Sequence, residues 1–191
     1  MITSPQTDHR NGFSVIELLI VLVIVSITAS LAIPAAVAFY DMVAMRAESS
    51  QIHRAIAFTK YMASYTGKAT TFCPLDLRRR CSDDWSEEIT IFTDSNQNDL
   101  LDGREQILKV IPQVGSDVYK REFSRKSPIT FQPFGDAFGH NGIFRICRDD
   151  DSNYLSHTVI IASSGRIRQG KDENNDGLAE DSAGDAVKCS E

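Results

Sequence analysis

The residue with the clearest chemical potential is Glu17, a carboxylate at the start of a long uncharged stretch. From Leu18 to Tyr40 the chain carries no charge over 23 residues, which is enough to cross a hydrocarbon layer of about 30 Å as a helix. An ionised acid at the centre of a membrane helix costs about 2.5–3.5 kcal/mol, so it is a functional candidate. Glu17 therefore either extends its side chain to the interface or pairs with a cation.

The residues around Glu17 suggest where that cation comes from. A polar segment, Met1–Gly12, precedes the apolar run, which is not the order found in an ordinary secretory signal. The sequence Gly12-Phe13-Ser14-Val15-Ile16-Glu17 resembles the signature of the type IV prepilin family. The resemblance implies cleavage after Gly12 by prepilin peptidase and N-methylation of Phe13. It also implies that Glu17 pairs with the Phe13 amine of a neighbouring subunit and sets the register of assembly.

The sequence after Tyr40 predicts a second, amphipathic half of the same helix. Ile52, Ile56, Thr59 and Ala63 share one face at helical spacing. The residues expected to point outward are Arg46, Glu48, Gln51 and Lys60. Gly67 is expected to end the helix, and Pro34 to kink or loosen it by removing a backbone donor.

The rest of the chain predicts a β-rich head. Short runs rich in β-branched and aromatic residues alternate with Gly, Pro, Asn and Asp, as in antiparallel sheets. We predict strands at Glu88–Thr93, Gln106–Ile111, Pro128–Phe131, Ile143–Cys147 and Thr158–Ala162, the last continuing through Ile167. The fold class is therefore α+β, a pilin-like fold in which a long N-terminal helix packs on an antiparallel sheet.

This organisation divides the chain into four segments. They are a leader (1–12), a transmembrane or filament-core half of the helix (13–40), an amphipathic half (41–67) and a globular head (68–191). Because Arg10 marks the positive side of the anchor, we expect a single pass through the bacterial inner membrane. The N-terminus would be cytoplasmic, and the head would be periplasmic or part of an extracellular pilus tip.

Four cysteines fit an oxidising compartment outside the cytoplasm. They allow three pairings. We expect Cys73–Cys81 and Cys147–Cys189, because the second bond would fix an otherwise loose acidic tail to the sheet.

An acidic loop offers a candidate metal site. Asp94, Asn96, Asn98, Asp102 and Glu105 occupy positions that resemble the ligand positions of an EF-hand calcium loop. Asp99, however, stands where that loop requires glycine, and the flanking segments are predicted to be strands rather than helices. The alternative is an Asx-rich turn closed by its own side chains.

Two arginine motifs offer candidate phosphate contacts. Arg78, Arg79 and Arg80 lie between Cys73 and Cys81, and Arg166 and Arg168 flank Ile167. Arginines spaced by two along a strand share a face and can bind successive phosphates. The alternatives are a solubilising turn or contact with an acidic neighbour for the first motif, and pairing with the acidic tail for the second.

The motif Gly165-Arg166-Ile167-Arg168, the Asp94 loop and the late cysteine pair together resemble the FimT/FimU and GspH family of minor pilins. That resemblance implies a subunit that joins or primes the pilus tip complex, with DNA contact through the arginines as a further possibility. The alternative within the same architecture is a GspH-type minor pseudopilin of type II secretion. The expected partners are other pilin or pseudopilin subunits, prepilin peptidase and the inner membrane.

Composition narrows the remaining classes of function. The formal net charge of −6 does not favour long-range attraction to nucleic acid, so any DNA contact needs a local basic patch. The histidines have no evident Ser or Cys nucleophile partner. We therefore expect no enzyme activity, no small-molecule substrate, and no cofactor unless the Asp94 loop binds calcium.

Overall fold

A computed structural model describes residues 14–113, 119–126, 128–148, 156–174, 179–181 and 184–187. A single helix, α1, spans Val15–Thr66 and runs through Pro34 without interruption, so the expected loosening there is not present. Gly67 follows the helix with φ 64°, the left-handed conformation that commonly ends helices and that glycine adopts without strain.

The chain forms two compact units, residues 1–42 and 43–191. The second unit is the head, which contains the last part of α1 and two four-stranded antiparallel sheets. The first sheet has the order β3-β2-β1-β5 and the second β4-β6-β7-β8. The strands are β1 Thr70–Pro74, β2 Ile89–Thr93, β3 Ile107–Ile111, β4 Tyr119–Phe123, β5 Ile129–Phe131, β6 Gly142–Arg148, β7 Ser156–Ile161 and β8 Ile167–Gln169.

The strand prediction was incomplete in three respects. Sequence reasoning missed β1, which pairs with both β2 and β5 at the middle of the first sheet. It also missed β4, a short strand rich in charged residues. Ile167 does not continue β7. It begins β8, which turns back and pairs antiparallel with β7, with Ile161 opposite Ile167.

The core of the head lies between α1 and the sheets. Ile52, Ile56 and Ala63 are fully buried on the predicted face of the helix. An aromatic cluster joins the two sheets, with Phe72 of β1 and Phe144 of β6 at 6.2 Å between ring centroids. Trp85 packs edge-on against Phe144 at 5.2 Å. Edge-to-face pairs of this kind add about 0.5–1.5 kcal/mol each beyond the area that they bury.

The prediction that Glu48 points outward was wrong. Glu48 of α1 is buried, and its Oε1 accepts a hydrogen bond from Arg121 Nε of β4 at 2.7 Å. The Tyr119 hydroxyl donates to Glu48 Oε2 at 3.1 Å, and Arg121 Nη2 donates to the Pro112 carbonyl. This ion pair therefore ties α1 to the edge strand of the second sheet.

The buried ion pair predicts a large asymmetry between single and double substitutions. Glu48→Ala leaves the Arg121 guanidinium buried without its carboxylate, which typically costs about 3–5 kcal/mol of unfolding free energy. Glu48→Met combined with Arg121→Met removes both charges and should cost much less. Chemical denaturation of the purified chain measures both effects, with Glu88→Ala at an exposed site as the control. A double variant that loses as much unfolding free energy as Glu48→Ala, or more, would contradict the pairing.

Candidate functional site

Glu17 lies in the first turn of α1, where the helix N-terminus favours a negative charge. The first backbone bond of the turn is donated by Leu18 N to Ser14 O at 3.2 Å. Gly12 and Phe13 lie outside the described residues. An amine placed near Glu17 would form an ion pair that is stronger in a low-dielectric layer than in water.

The apolar part of α1 is not covered by the protein itself. Its most apolar 18-residue window is entirely unburied within the protein, and by length and composition it can cross a membrane. Large side chains are widely exposed along it, among them Val15 (75%), Leu31 (71%) and Tyr40 (70%). Soluble proteins rarely expose so long an apolar surface, so lipid or other subunits must cover it.

The Asp94 loop is closed by its own side chains. Asp94 is fully buried, and its carboxylate accepts hydrogen bonds from Asn98 N and Asp99 N and from the Thr71 hydroxyl. Asn96 and Asn98 each accept a bond from the backbone N–H two residues on. Such contacts define Asx turns.

Asp102 and Glu105, the other two candidate metal ligands, also bond to the backbone of this loop. Asp102 Oδ1 accepts from Arg104 N, and Glu105 Oε2 accepts from Asp102 N. Among the described residues, which include this whole loop, no group of three or more His, Cys, Asp and Glu side chains is placed to hold a metal ion. The geometry therefore favours the turn and gives calcium no support.

The two loops that carry acids and arginines contact each other. A disulfide joins Cys73 to Cys81 and holds Arg78, Arg79 and Arg80 in solvent. Cys81 N donates to Asp99 O at 2.8 Å, and Leu101 N donates to Arg79 O at 2.9 Å. The disulfide loop is therefore fixed against the acidic loop.

The Gly165 motif lies at the tight turn between β7 and β8. Gly165 has φ 73°, and a Cβ there would overlap the Gly135 carbonyl, so glycine is required on both counts. Lys60 of α1, which the sequence placed outward, donates to the Gly165 carbonyl at 2.8 Å. No sequence signal could have found this contact, because the partners are 105 residues apart.

The two arginines of this motif differ in environment. Arg166 precedes β8 and is exposed, whereas Arg168 is half-buried within β8 and interacts with other groups. Ile167 packs against the core, as predicted. Within the described ranges, no hydrogen bond or ion pair joins this turn to Arg78, Arg79 or Arg80.

The structure describes only one cysteine of the second predicted disulfide. Cys147 of β6 is buried and disulfide-bonded. Cys189, its expected partner, lies outside the described residues. The Cys147–Cys189 pairing stays a prediction.

Comparisons with known proteins agree with this architecture. The family model described as type II transport protein GspH matches residues 48–165. The model of the prokaryotic N-terminal methylation motif matches residues 8–33. A comparison with curated proteins finds no match.

Two solved structures share the fold. They are two crystal forms of the type IV minor pilin FimU of Pseudomonas aeruginosa PAO1. One is 14% identical, with TM-score 0.54, and the alignment covers 68% of this chain and 90% of that one. The other is 13% identical, with TM-score 0.51, covering 66% and 92%. At such identity the likeness shows the fold alone.

A methylation motif, an uncovered apolar helix and a helix-on-sheet head define the class of type IV pilin-like subunits. Within that class, the chain belongs to the GspH family, since the family model spans more than half of it. Membership implies processing by prepilin peptidase, anchoring in a membrane and assembly with other pilin or pseudopilin subunits. Proteins of this class are structural rather than enzymatic.

The partial burial of Asp99 beside Asp94 in the acidic loop predicts a stability that depends on pH. Burial, and then the charge of Asp94, raise the pKa of Asp99, which adopts φ 58°. Folding thus favours the protonated form, so the stability contributed by Asp99 falls as pH rises from about 4 through the raised pKa. Asp99→Asn keeps a residue that tolerates positive φ and removes the charge.

We therefore expect Asp99→Asn to raise the melting temperature at pH 7 and to lose this advantage as the pH falls towards 4. Thermal unfolding at several pH values measures the difference. Asp83→Asn, at an exposed site, is the control and should change little. A variant less stable than wild type at pH 7 would contradict the inference that the Asp99 carboxylate is unfavourable in the folded state.

Proposed function

We propose that this chain is a minor pilin of the FimT/FimU type that joins or primes the tip complex of a type IV pilus. The observation that carries the proposal is the uncovered apolar half of α1, with one carboxylate in its first turn. A subunit built in this way is stable only where lipid or neighbouring helices surround that segment.

The proposed sequence of events begins with the leader. Prepilin peptidase removes residues 1–12, and the new N-terminus at Phe13 is N-methylated. Residues 13–40 hold the subunit in the inner membrane and then enter the filament core, while residues 41–67 support the head formed by 68–191. On entry, the Glu17 carboxylate pairs with the Phe13 amine of a neighbour. This neutralises both charges away from water and favours one axial register.

The proposed orientation places the N-terminus in the cytoplasm and the head in the periplasm. The Cys73–Cys81 disulfide and the bonded Cys147 support this placement, because structural disulfides persist in oxidising compartments.

A GspH-type pseudopilin of type II secretion is the rival within the same class, and the description of the matching family model favours it. A deletion strain separates the two roles. Loss of surface pili with normal protein secretion supports the pilus role. Normal piliation with a secretion defect supports the pseudopilin.

The role of Glu17 is tested by Glu17→Ala. Cleavage should proceed, because the site after Gly12 is intact, but incorporation into filaments should fall sharply. Immunoblots of sheared filaments and of membranes measure incorporation and processing in the same strain. Glu17→Asp, which keeps the charge on a shorter side chain, is the matched control and should retain part of the incorporation. Normal incorporation of Glu17→Ala would contradict the pairing.

DNA contact is a second candidate function, and the exposure of four arginines favours it. Arg78, Arg79, Arg80 and Arg166 all lie in solvent, where guanidinium groups can form charge-assisted bonds to phosphates. Against it stands the net charge of −6. Contact would therefore be local and sensitive to salt.

The cleanest test of DNA contact is Arg166→Ala, because Arg168 already interacts within the head. We expect weaker binding and a salt slope reduced by about one unit. Fluorescence anisotropy with duplex DNA at several salt concentrations measures both. Arg54→Ala on the exposed face of α1 is the control. If the wild-type chain shows no salt-dependent affinity for DNA, this second candidate is wrong.

A further inference from the structure

A polar cavity of about 280 Å³ lies in the head where the second half of α1 meets the second sheet. Arg46, Ser49 and Ser50 contribute the helix side, and β7 and β8 contribute the other. The lining residues of the strands are His157, Thr158, Gln169 and Gly170. None of the lining residues that the structure describes is acidic, and most of their side chains carry hydrogen-bond donors.

The described residues of the head do not use these donors. In the part of the chain that the structure describes, the lining side chains have no hydrogen-bond or ion-pair partner, and the Thr158 hydroxyl is buried without one. Thr158 itself is 2% exposed. Among the described lining atoms, the Thr158 hydroxyl is the one that is buried and unpaired, whereas Arg46 and Gln169 are exposed. Because buried polar groups are nearly always paired, this hydroxyl indicates a missing acceptor.

The charges around the cavity specify the sign of that acceptor. Burial, and then the charge of the nearby Arg46 guanidinium, lower the pKa of His157, and no carboxylate of the described residues contributes to this shift. An anion bound between Arg46 and His157 would relieve this repulsion and raise the pKa of His157.

The donors come from three elements, α1, β7 and β8, and so approach the cavity from several directions. A tetrahedral oxyanion with three or four acceptor oxygens can satisfy such a set, whereas a planar carboxylate presents only two oxygens. We propose that this cavity binds a phosphate group through Arg46, the serines of α1 and the polar side chains of β7 and β8.

The phosphate could be free or belong to a lipid headgroup. In sequence, Arg46 follows Tyr40, the last residue of the uncharged stretch, by six positions. Both sources supply the same chemistry to the cavity, and competition between them distinguishes the two.

The experiment uses the full chain in a detergent without phosphate groups. Inorganic phosphate is titrated at constant ionic strength, with chloride as the reference anion, and binding is followed by calorimetry and by the histidine ring resonances. We expect saturable binding that raises the pKa of His157. Arg46→Gln, at an exposed position, should weaken it by about tenfold or more. Arg54→Gln, two helical turns further on, should not change it.

Phosphatidylglycerol added to the micelles separates the two sources. If it competes with inorganic phosphate at lower concentration, the site takes a lipid headgroup. If it does not compete, the site takes free phosphate. Both outcomes retain the phosphate site.

Three results would overturn the proposal. One is the absence of saturable phosphate binding, and another is unchanged binding in Arg46→Gln. The third is acetate binding as tightly as phosphate, which would assign the cavity to a carboxylate such as an acidic side chain of a neighbouring subunit.

Discussion

The constraint on which the rest of the structure depends is an apolar helical segment that the protein leaves uncovered. A helix that is apolar on every side has no stable state in water, so this segment must remain in lipid or among other such helices. Lipid and a bundle of apolar helices are both hydrocarbon-like, so the segment exposes no apolar surface to water in either environment. The hydrophobic effect therefore does not distinguish strongly between them. Specificity must therefore come from the few polar groups present, and Glu17 is the acidic one in the first turn of α1.

The head has to be stable without help from that segment. Its core is complete within residues 43–191, where α1 side chains, two sheets and an aromatic cluster bury one another. Polar contacts fix α1 to elements distant in sequence, among them the Glu48–Arg121 ion pair, the Tyr119 bond to Glu48 and the Lys60 bond to Gly165. Buried polar contacts of this kind add little net stability, but they penalise other arrangements of the same core. The helix is thereby held in one register against the sheets.

Sequence reasoning predicted the elements whose signal is local and missed those decided by distant partners. The apolar face at Ile52, Ile56 and Ala63 follows directly from helical periodicity. β4 was missed because its charged residues become favourable only beside α1 and β6, where Glu48 and Arg145 lie. By contrast, β8 separates from β7 at a local turn, in which Gly165 N donates to Ala162 O and Ala162 N donates to Arg166 O. The Ser164-Gly165 pair is a local turn signal that the strand prediction did not use.

The same difference between local signals and distant partners decides which candidate sites could be predicted from the sequence. The prepilin signature is contiguous, so it could be recognised as a string of residues, and so could the Asx turns of the Asp94 loop. The polar cavity could not, since its donors come from positions 46–50, 157–158 and 169–170. None of these residues is unusual alone, and each would pass as an ordinary surface side chain. Only their convergence without an acceptor distinguishes them. In a protein of net charge −6, an exposed Arg46 beside a half-buried His157, with no acid among the described lining residues, gives this cavity a local charge opposite in sign to that of the whole chain.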